Sequence, residues 1–329
     1  MTKMAHYLGR CLLVLCGISC ALLLVEGARR IDNRVRRGIP FFTNPRSLWD
    51  DRRGWVGREH VIGPTSSNPI LVLGDSFTEG LTVSSESMWF AYLQREHPET
   101  QLIAYGGLGY GTLQELIVLE DYLKGGMHPS LVVVQLCSND IINNYYPLEV
   151  SSYAQRPPAP RPYLEEEGIV VRFPRKYGDI IAPIIGLSQL AYALSTRWDM
   201  ATVQRVARDK SDSIETRIQH RGFSDPLFQA GIEITKQLLN RIRETASEIP
   251  VILMLIDDVE PYTTALRDIA KTVNLPILVP QRIRVVPTSG KLPDGSHLNQ
   301  EGNRLIAETF LKVVRGGGLL PTGSLRTAG

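Results

Sequence analysis

Four short clusters in the 329-residue chain carry residue types that could do chemistry. Gly74-Asp75-Ser76-Phe77-Thr78-Glu79-Gly80 holds a hydroxyl between two glycines. A serine oxygen is barely ionised at neutral pH, so it becomes a nucleophile only beside a base. Asp294-Gly295-Ser296-His297-Leu298-Asn299 supplies an imidazole with a carboxylate three residues before it. That carboxylate can accept from Nδ1–H and leave Nε2 to act as the base. In Ser138-Asn139-Asp140, the Asn carboxamide can donate to a developing oxyanion. Gly106-Gly107-Leu108-Gly109-Tyr110-Gly111 is bare backbone whose N–H groups can face a ligand. Each cluster taken singly has a plainer reading: a turn, a capped turn with a surface His, an Asx turn, a strand-to-helix connection. Two familiar motifs are excluded. Residue 78 is Thr, so the serine is not in a Gly-x-Ser-x-Gly elbow. The glycine loop has the wrong order, G-x-x-G-x-G, for a dinucleotide fingerprint.

The elements around these clusters give them a common position. Residues 70–73, 101–104, 131–136, 251–256 and 276–279 are short, branched and apolar on both faces, as buried parallel strands are. Helical spacing is expected between them. Ser84 or Ser85 can cap a helix through Trp89 and Leu93, and residues 112–123, 228–246 and 305–314 carry apolar stripes. Strand-helix alternation predicts a doubly wound parallel sheet, whose ligands bind at the carboxyl ends of the strands. The serine, the glycine loop, the Asn and the Asp-x-x-His each follow a different strand at that edge. Residues 141–225 interrupt the rhythm. They hold the extended run Arg156-Pro157-Pro158-Ala159-Pro160-Arg161-Pro162, a hairpin over 163–174 turning at Glu166-Glu167-Gly168, a helix near 188–198 and a polar stretch to Asp225. This is an insertion, either a lid or a surface excursion.

The first forty residues stand apart. Residues 11–25 run for fifteen positions without a charge, between Arg10 and Glu26. Extended toward Tyr7, the run approaches the length that spans a bilayer. A retained anchor, a cleaved signal peptide and a lipoprotein signal ending at Cys20 compete. The anchor is favoured because Val25-Glu26-Gly27 is a poor cleavage site and the lipobox Leu is missing. Arg29, Arg30, Arg34, Arg36 and Arg37 follow the run, which the positive-inside rule would place in the cytoplasm, against the extracytoplasmic catalytic domain expected here. The expected division is an anchor or signal at 1–40, a lead-in at 41–67, a catalytic domain at 68–318 containing the insertion, and a tail at 319–329.

Composition narrows the classes. Thirty-six Lys and Arg against 34 Asp and Glu leave a net charge of +2, and 43% apolar residues is ordinary globular usage. Nothing in that balance favours nucleic acid as a partner. Cys11, Cys16 and Cys20 lie in the apolar run and only Cys137 in the globular part, so no disulfide scaffold is expected. The six histidines show no zinc-binding spacing; neither a metal nor a cofactor is expected.

Taken together the clusters resemble the four blocks of the SGNH, or GDSL, hydrolase family: Gly74-Asp75-Ser76, Gly109, Ser138-Asn139-Asp140 and Asp294 to His297. The resemblance spans roughly residues 68–316. Two positions depart from the pattern: Cys137 stands where the third block opens with Gly, and Ala104 where an Asn often precedes the glycine loop. The resemblance implies a three-layer α/β/α, flavodoxin-like fold with a doubly wound parallel five-stranded sheet, here behind an N-terminal transmembrane helix. It implies Ser76 as nucleophile, His297 as base, Asp294 as the carboxylate orienting it, and an oxyanion hole from the Ser76 N–H, the Gly109 N–H and the Asn139 side chain. Asp75, Tyr110 and Asp140 are expected near substrate. The implied activity is a serine esterase acting on an acylated small molecule, glycan or lipid, with an O-acetyl ester of an envelope glycan favoured. An O-acyltransferase, a lipase or thioesterase, and a catalytically silent binding protein on the same fold are the alternatives. Trp89, Tyr110, Tyr145 and Tyr146 could form a sugar platform or pack in the core.

Overall fold

A computed structural model describes residues 2–37, 40–50, 52–80, 83–152, 160–173, 178–208, 213–279, 290–291 and 297–317. Six strands form the central sheet: β1 (Arg58–Ile62), β2 (Ile70–Gly74), β3 (Leu102–Gly106), β4 (Leu131–Leu136), β7 (Val251–Leu255) and β8 (Ile277–Leu278). A separate hairpin, β5 (Arg161–Glu165) and β6 (Gly168–Arg172), lies in the insertion. The sheet order is β8-β7-β4-β2-β3-β1. All pairings are parallel except β1 with β3. The five parallel strands are those read from the sequence, in the flavodoxin-like order that reverses between β2 and β4.

Burial on both faces explains why these strands were legible. Leu71, Leu73, Val132, Val134, Leu253 and Leu255 point into one core, against α4 (Thr112–Lys124), α10 (Pro226–Ala246) and α11 (Tyr262–Thr272). The alternate residues Val72, Leu102, Val133, Ile252 and Met254 point into the other, against α3 (Trp89–Glu96) and α12 (Gln300–Gly317). Two cores back to back on one sheet make the three-layer architecture.

The sixth strand, β1, falls within the stretch expected to be a lead-in. An edge strand needs partners on one side only and little apolar surface. Arg-Glu-His-Val-Ile buries only His60 fully and rests Ile62 against the second core, while Val61 faces out. Other departures are local. The helix expected to be capped at Ser84 or Ser85 begins at Trp89, after a 3-10 turn over Ser85–Ser87. The polar stretch before Asp225 contains α9 (Ile214–Arg221), capped by Ser213, whose Oγ accepts from Thr216 N at 3.2 Å. The insertion hairpin turns where expected, with Glu165 paired to Gly168 across Glu166 and Glu167. The insertion also contributes α5 (Asp140–Asn143), α6 (Tyr146–Ser151), α7 (Gly178–Leu187) and α8 (Gln189–Arg208). At the N-terminus, α1 (Thr2–Arg37) is long and apolar enough to cross a membrane, and its apolar stretch is exposed.

Candidate active site

The nucleophile cluster forms at the carboxyl end of β2. Asp75 caps the single turn of α2 (Ser76–Glu79), its Oδ1 accepting from Phe77 N at 2.9 Å. Gly74 is required by close approach: a Cβ there would lie 2.7 Å from Gln135 Oε1. That oxygen accepts from the buried Thr78 hydroxyl at 2.8 Å and fastens the turn to β4. Gln135 escaped sequence reasoning. Its signal was being the lone polar residue in an apolar strand, where burial demands a hydrogen bond.

His297 arrives from the other end of the chain. Leu298, next to it, is buried in the core under α12, and Asn299 caps that helix by accepting from Gly302 N at 3.1 Å. Asn303 ties the same helix to α3 by accepting from Trp89 N at 3.0 Å. With Leu298 and Asn299 held, His297 Nε2 lies 2.9 Å from Ser76 Oγ. The Phe77 ring packs against the imidazole, centroids 5.3 Å apart. Ser76 itself is 7% exposed. Asp294 lies outside the described residues.

The other two blocks close around the same strand ends. Gly109 is buried after β3 with φ of +67°, a conformation that a side chain would strain. Asn139 follows β4. Its Nδ2 donates to Asn143 Oδ1 at 2.6 Å. A primary amide nitrogen carries two hydrogens, so one more can be directed elsewhere.

The three residues expected near substrate sit instead beneath the site. Asp75, Tyr110 and Asp140 are all buried. The Tyr110 hydroxyl donates to the Trp55 carbonyl at 2.8 Å. Asp140 Oδ2 accepts from Cys137 N at 2.7 Å, and Asp75 is committed to its cap. Each polar group serves the fold, because a buried one left unpaired would be costly. Trp89, a candidate for a sugar platform, packs among Phe90 and Phe310 in the core. Tyr145 and Tyr146 are half-buried and line an open cleft of about 600 Å³ with Tyr163, Glu165, Glu233 and Gln237.

A layer of acids supports this edge. Burial pushes Asp75 above the usual carboxylate range, opposed by its bonds from Cys137 and Phe77. Burial, with like charge from Asp75, raises Asp140 strongly; Glu115 is raised by burial and by Asp140. Burial lifts Glu79 to about 7, although Trp55 Nε1 donates to its carboxylate at 3.1 Å. Asp257, at the end of β7, was not singled out in the sequence. It accepts from Ser138 N at 2.9 Å and from Ser138 Oγ at 2.5 Å, holding the turn that carries Asn139. Cys137, which replaces the usual Gly, has its Sγ 2.8 Å from Asp75 Oδ2 and touching Asn139 Oδ1. The thiol thus joins the nucleophile turn to the Asn turn.

A serine hydrogen-bonded to an imidazole at the carboxyl edge of a doubly wound sheet, beside an Asn turn, is the arrangement of a serine hydrolase. The GDSL-like Lipase/Acylhydrolase family model matches residues 70–310, and the chain belongs to that family of ester-hydrolysing enzymes. Among solved structures it is similar to TesA, at 14% identity and a TM-score of 0.44 over 77% of this chain and 100% of that one. It is also similar to a psychrotrophic esterase EstA from Pseudoalteromonas sp., at 14% identity and a TM-score of 0.41 over 76% and 97%. A family 3 carbohydrate esterase from Clostridium thermocellum aligns at 11% identity and a TM-score of 0.40 over 76% and 96%. A search of curated proteins finds no match.

Proposed function

We propose that the enzyme is a serine esterase whose nucleophile is Ser76 and whose general base is His297. The observation that carries this reading is the 2.9 Å contact between Ser76 Oγ and His297 Nε2. His297 takes the hydroxyl proton as Oγ bonds to the ester carbonyl carbon. The tetrahedral intermediate collapses when the C–O bond to the alcohol breaks and the imidazolium returns the proton to the departing oxygen. Water then repeats the sequence on the acyl-enzyme, releasing the acid and restoring Ser76. Asp294, three residues before the imidazole, is assigned on spacing and family pattern to orient the ring through Nδ1 and stabilise its charged form. The Ser76 and Gly109 N–H groups and the second Asn139 amide hydrogen form the oxyanion hole. The left-handed backbone of Gly109 and the Asn139–Asn143 bond support that assignment.

The substrate proposed is an O-acyl ester, in particular an O-acetyl group on a glycan. Support comes from the cleft at Tyr145 and Tyr146. Aromatic faces suit sugar C–H surfaces, while Glu165, Glu233 and Gln237 can bond hydroxyls. The cleft begins six residues after Asn139 in the chain. We place the catalytic domain at a membrane, held by α1 as an uncleaved anchor, with the domain on the extracytoplasmic side. Hydrolysis of acetylated xylan and of a lysophospholipid by the full chain tests the substrate. Turnover of the lipid alone overturns the glycan reading, and acetyl transfer to an added sugar in preference to water would make the enzyme an O-acyltransferase.

A further inference from the structure

The apolar surface of the insertion gathers beside the membrane-length helix. In α7, Ile181, Ala182 and Ile185 pack against Trp49 and Phe173. The opposite stripe, Ile180, Ile184 and Leu187, is 73%, 63% and 63% exposed. These three recur at i, i+4 and i+7, one face of a helix. A helix apolar on every side belongs in a core or in lipid, and no part of the described chain covers this face. Phe42 adds a fourth large side chain, 87% exposed.

Polar contacts fix this surface to one height on α1. Glu26 accepts from Ser188 Oγ at 2.9 Å, Gln189 N at 3.0 Å and Leu190 N at 2.7 Å, so a carboxylate of α1 caps the first turn of α8. Arg30 donates to Glu26 at 2.6 Å, to the Phe41 carbonyl at 2.9 Å and to the Leu187 carbonyl at 3.0 Å. Asn33 Nδ2 donates to Gln189 Oε1 at 3.2 Å. Below Glu26, α1 is exposed from Tyr7 to Val25 and, apart from Arg10, carries no charge there. At 1.5 Å per residue that is about 28 Å, close to the hydrocarbon thickness of a bilayer. The contacts therefore lie where the hydrocarbon meets the headgroups. Arg29 and Arg34 stand on α1 just beyond that level.

We propose that α7 and the Phe41–Phe42 turn form a foot that lies in the bilayer interface alongside α1. The exposed stripe is buried among lipid and the catalytic domain is held at a set orientation. The insertion is then a docking element rather than a free lid, and α1 is a structural part of the enzyme, because removal of Glu26 to Asn33 would uncap α8. This rests on the reading of α1 as an anchor, and the test separates the two. Single cysteines are introduced as Leu15→Cys, Ile184→Cys or Lys271→Cys into the full chain carrying Cys11→Ala, Cys16→Ala and Cys20→Ala. Each is spin-labelled and reconstituted in phosphatidylcholine–phosphatidylglycerol vesicles. Collision with oxygen is compared with collision with a water-soluble nickel complex, in samples that still hydrolyse p-nitrophenyl acetate. The expected result is oxygen-dominated collision at 15, a weaker but clear oxygen preference at 184, and nickel-dominated collision at 271. A label at 184 that reads like 271, or is shielded from both reagents by a second copy, overturns the foot while the label at 15 upholds the anchor. A label at 15 that reads as aqueous overturns the anchor, and the foot with it.

Discussion

His297 Nε2 and Ser76 Oγ are hydrogen-bonded at 2.9 Å although 221 positions separate them in the chain. The bond joins the turn after β2 to the segment that leads into α12. If it serves catalysis, Ser76→Ala should lower kcat/KM for p-nitrophenyl acetate by at least about 10³-fold while the unfolding midpoint stays near wild type. Steady-state kinetics on the full chain check this. Hydrolysis at the wild-type rate would remove Ser76 from the reaction.

Asn139 gives a graded expectation. Its amide is held by Asn143 and stands beside the Cys137 thiol. Removing one oxyanion donor typically costs about 10²–10³ in turnover. Asn139→Ala should therefore reduce kcat on that scale and leave KM nearly unchanged. An effect confined to KM would instead make Asn139 a ground-state contact.

Glu79 makes stability depend on pH. Burial raises its carboxyl from 4.5 to about 7 in the folded protein. Between those values the folded state keeps a proton that the unfolded chain has released, so stability falls as pH climbs through this window. The full effect is on the order of 3 kcal/mol above pH 7. Glu79→Gln keeps an oxygen for Trp55 Nε1 and never ionises. It should match wild type below pH 4.5 and resist urea better at pH 8. Parallel unfolding curves at both pH values test it, and an equal shift at both would refute the assignment.

Cys137 should be chemically silent. Burial and the neighbouring acids Asp75, Asp140 and Asp257 push its thiol well above the ordinary range, which withholds the reactive thiolate. In the Cys11→Ala, Cys16→Ala, Cys20→Ala background, a disulfide reagent should find no reactive thiol in the native protein and one after denaturation. Rapid native labelling would show that the Asp75–Cys137 contact opens.

Much of this protein is written locally. The strand at 131–136 is apolar on both faces, and that alone marks a buried parallel strand. The uncharged run at 11–25 marks a membrane-length helix by the same local logic. Gly-Asp-Ser, Asn-Asp and Asp-x-x-His could be assigned to strand ends because a doubly wound sheet gathers those ends on one edge. Other features had no local signature. β1 is polar, since an edge strand is defined by the neighbour it pairs with rather than by its own residues. Tyr110 has the chemistry of a ligand-facing residue, and only packing turned it inward, toward the Trp55 carbonyl fifty-five positions away. Glu26 and Ser188 are equally ordinary in sequence, yet they join α1 to the insertion. Periodicity and turn chemistry act between near neighbours and can be read along the chain. Which side chain meets a residue more than a hundred positions away is set by how the layers pack, and tertiary structure alone decides that.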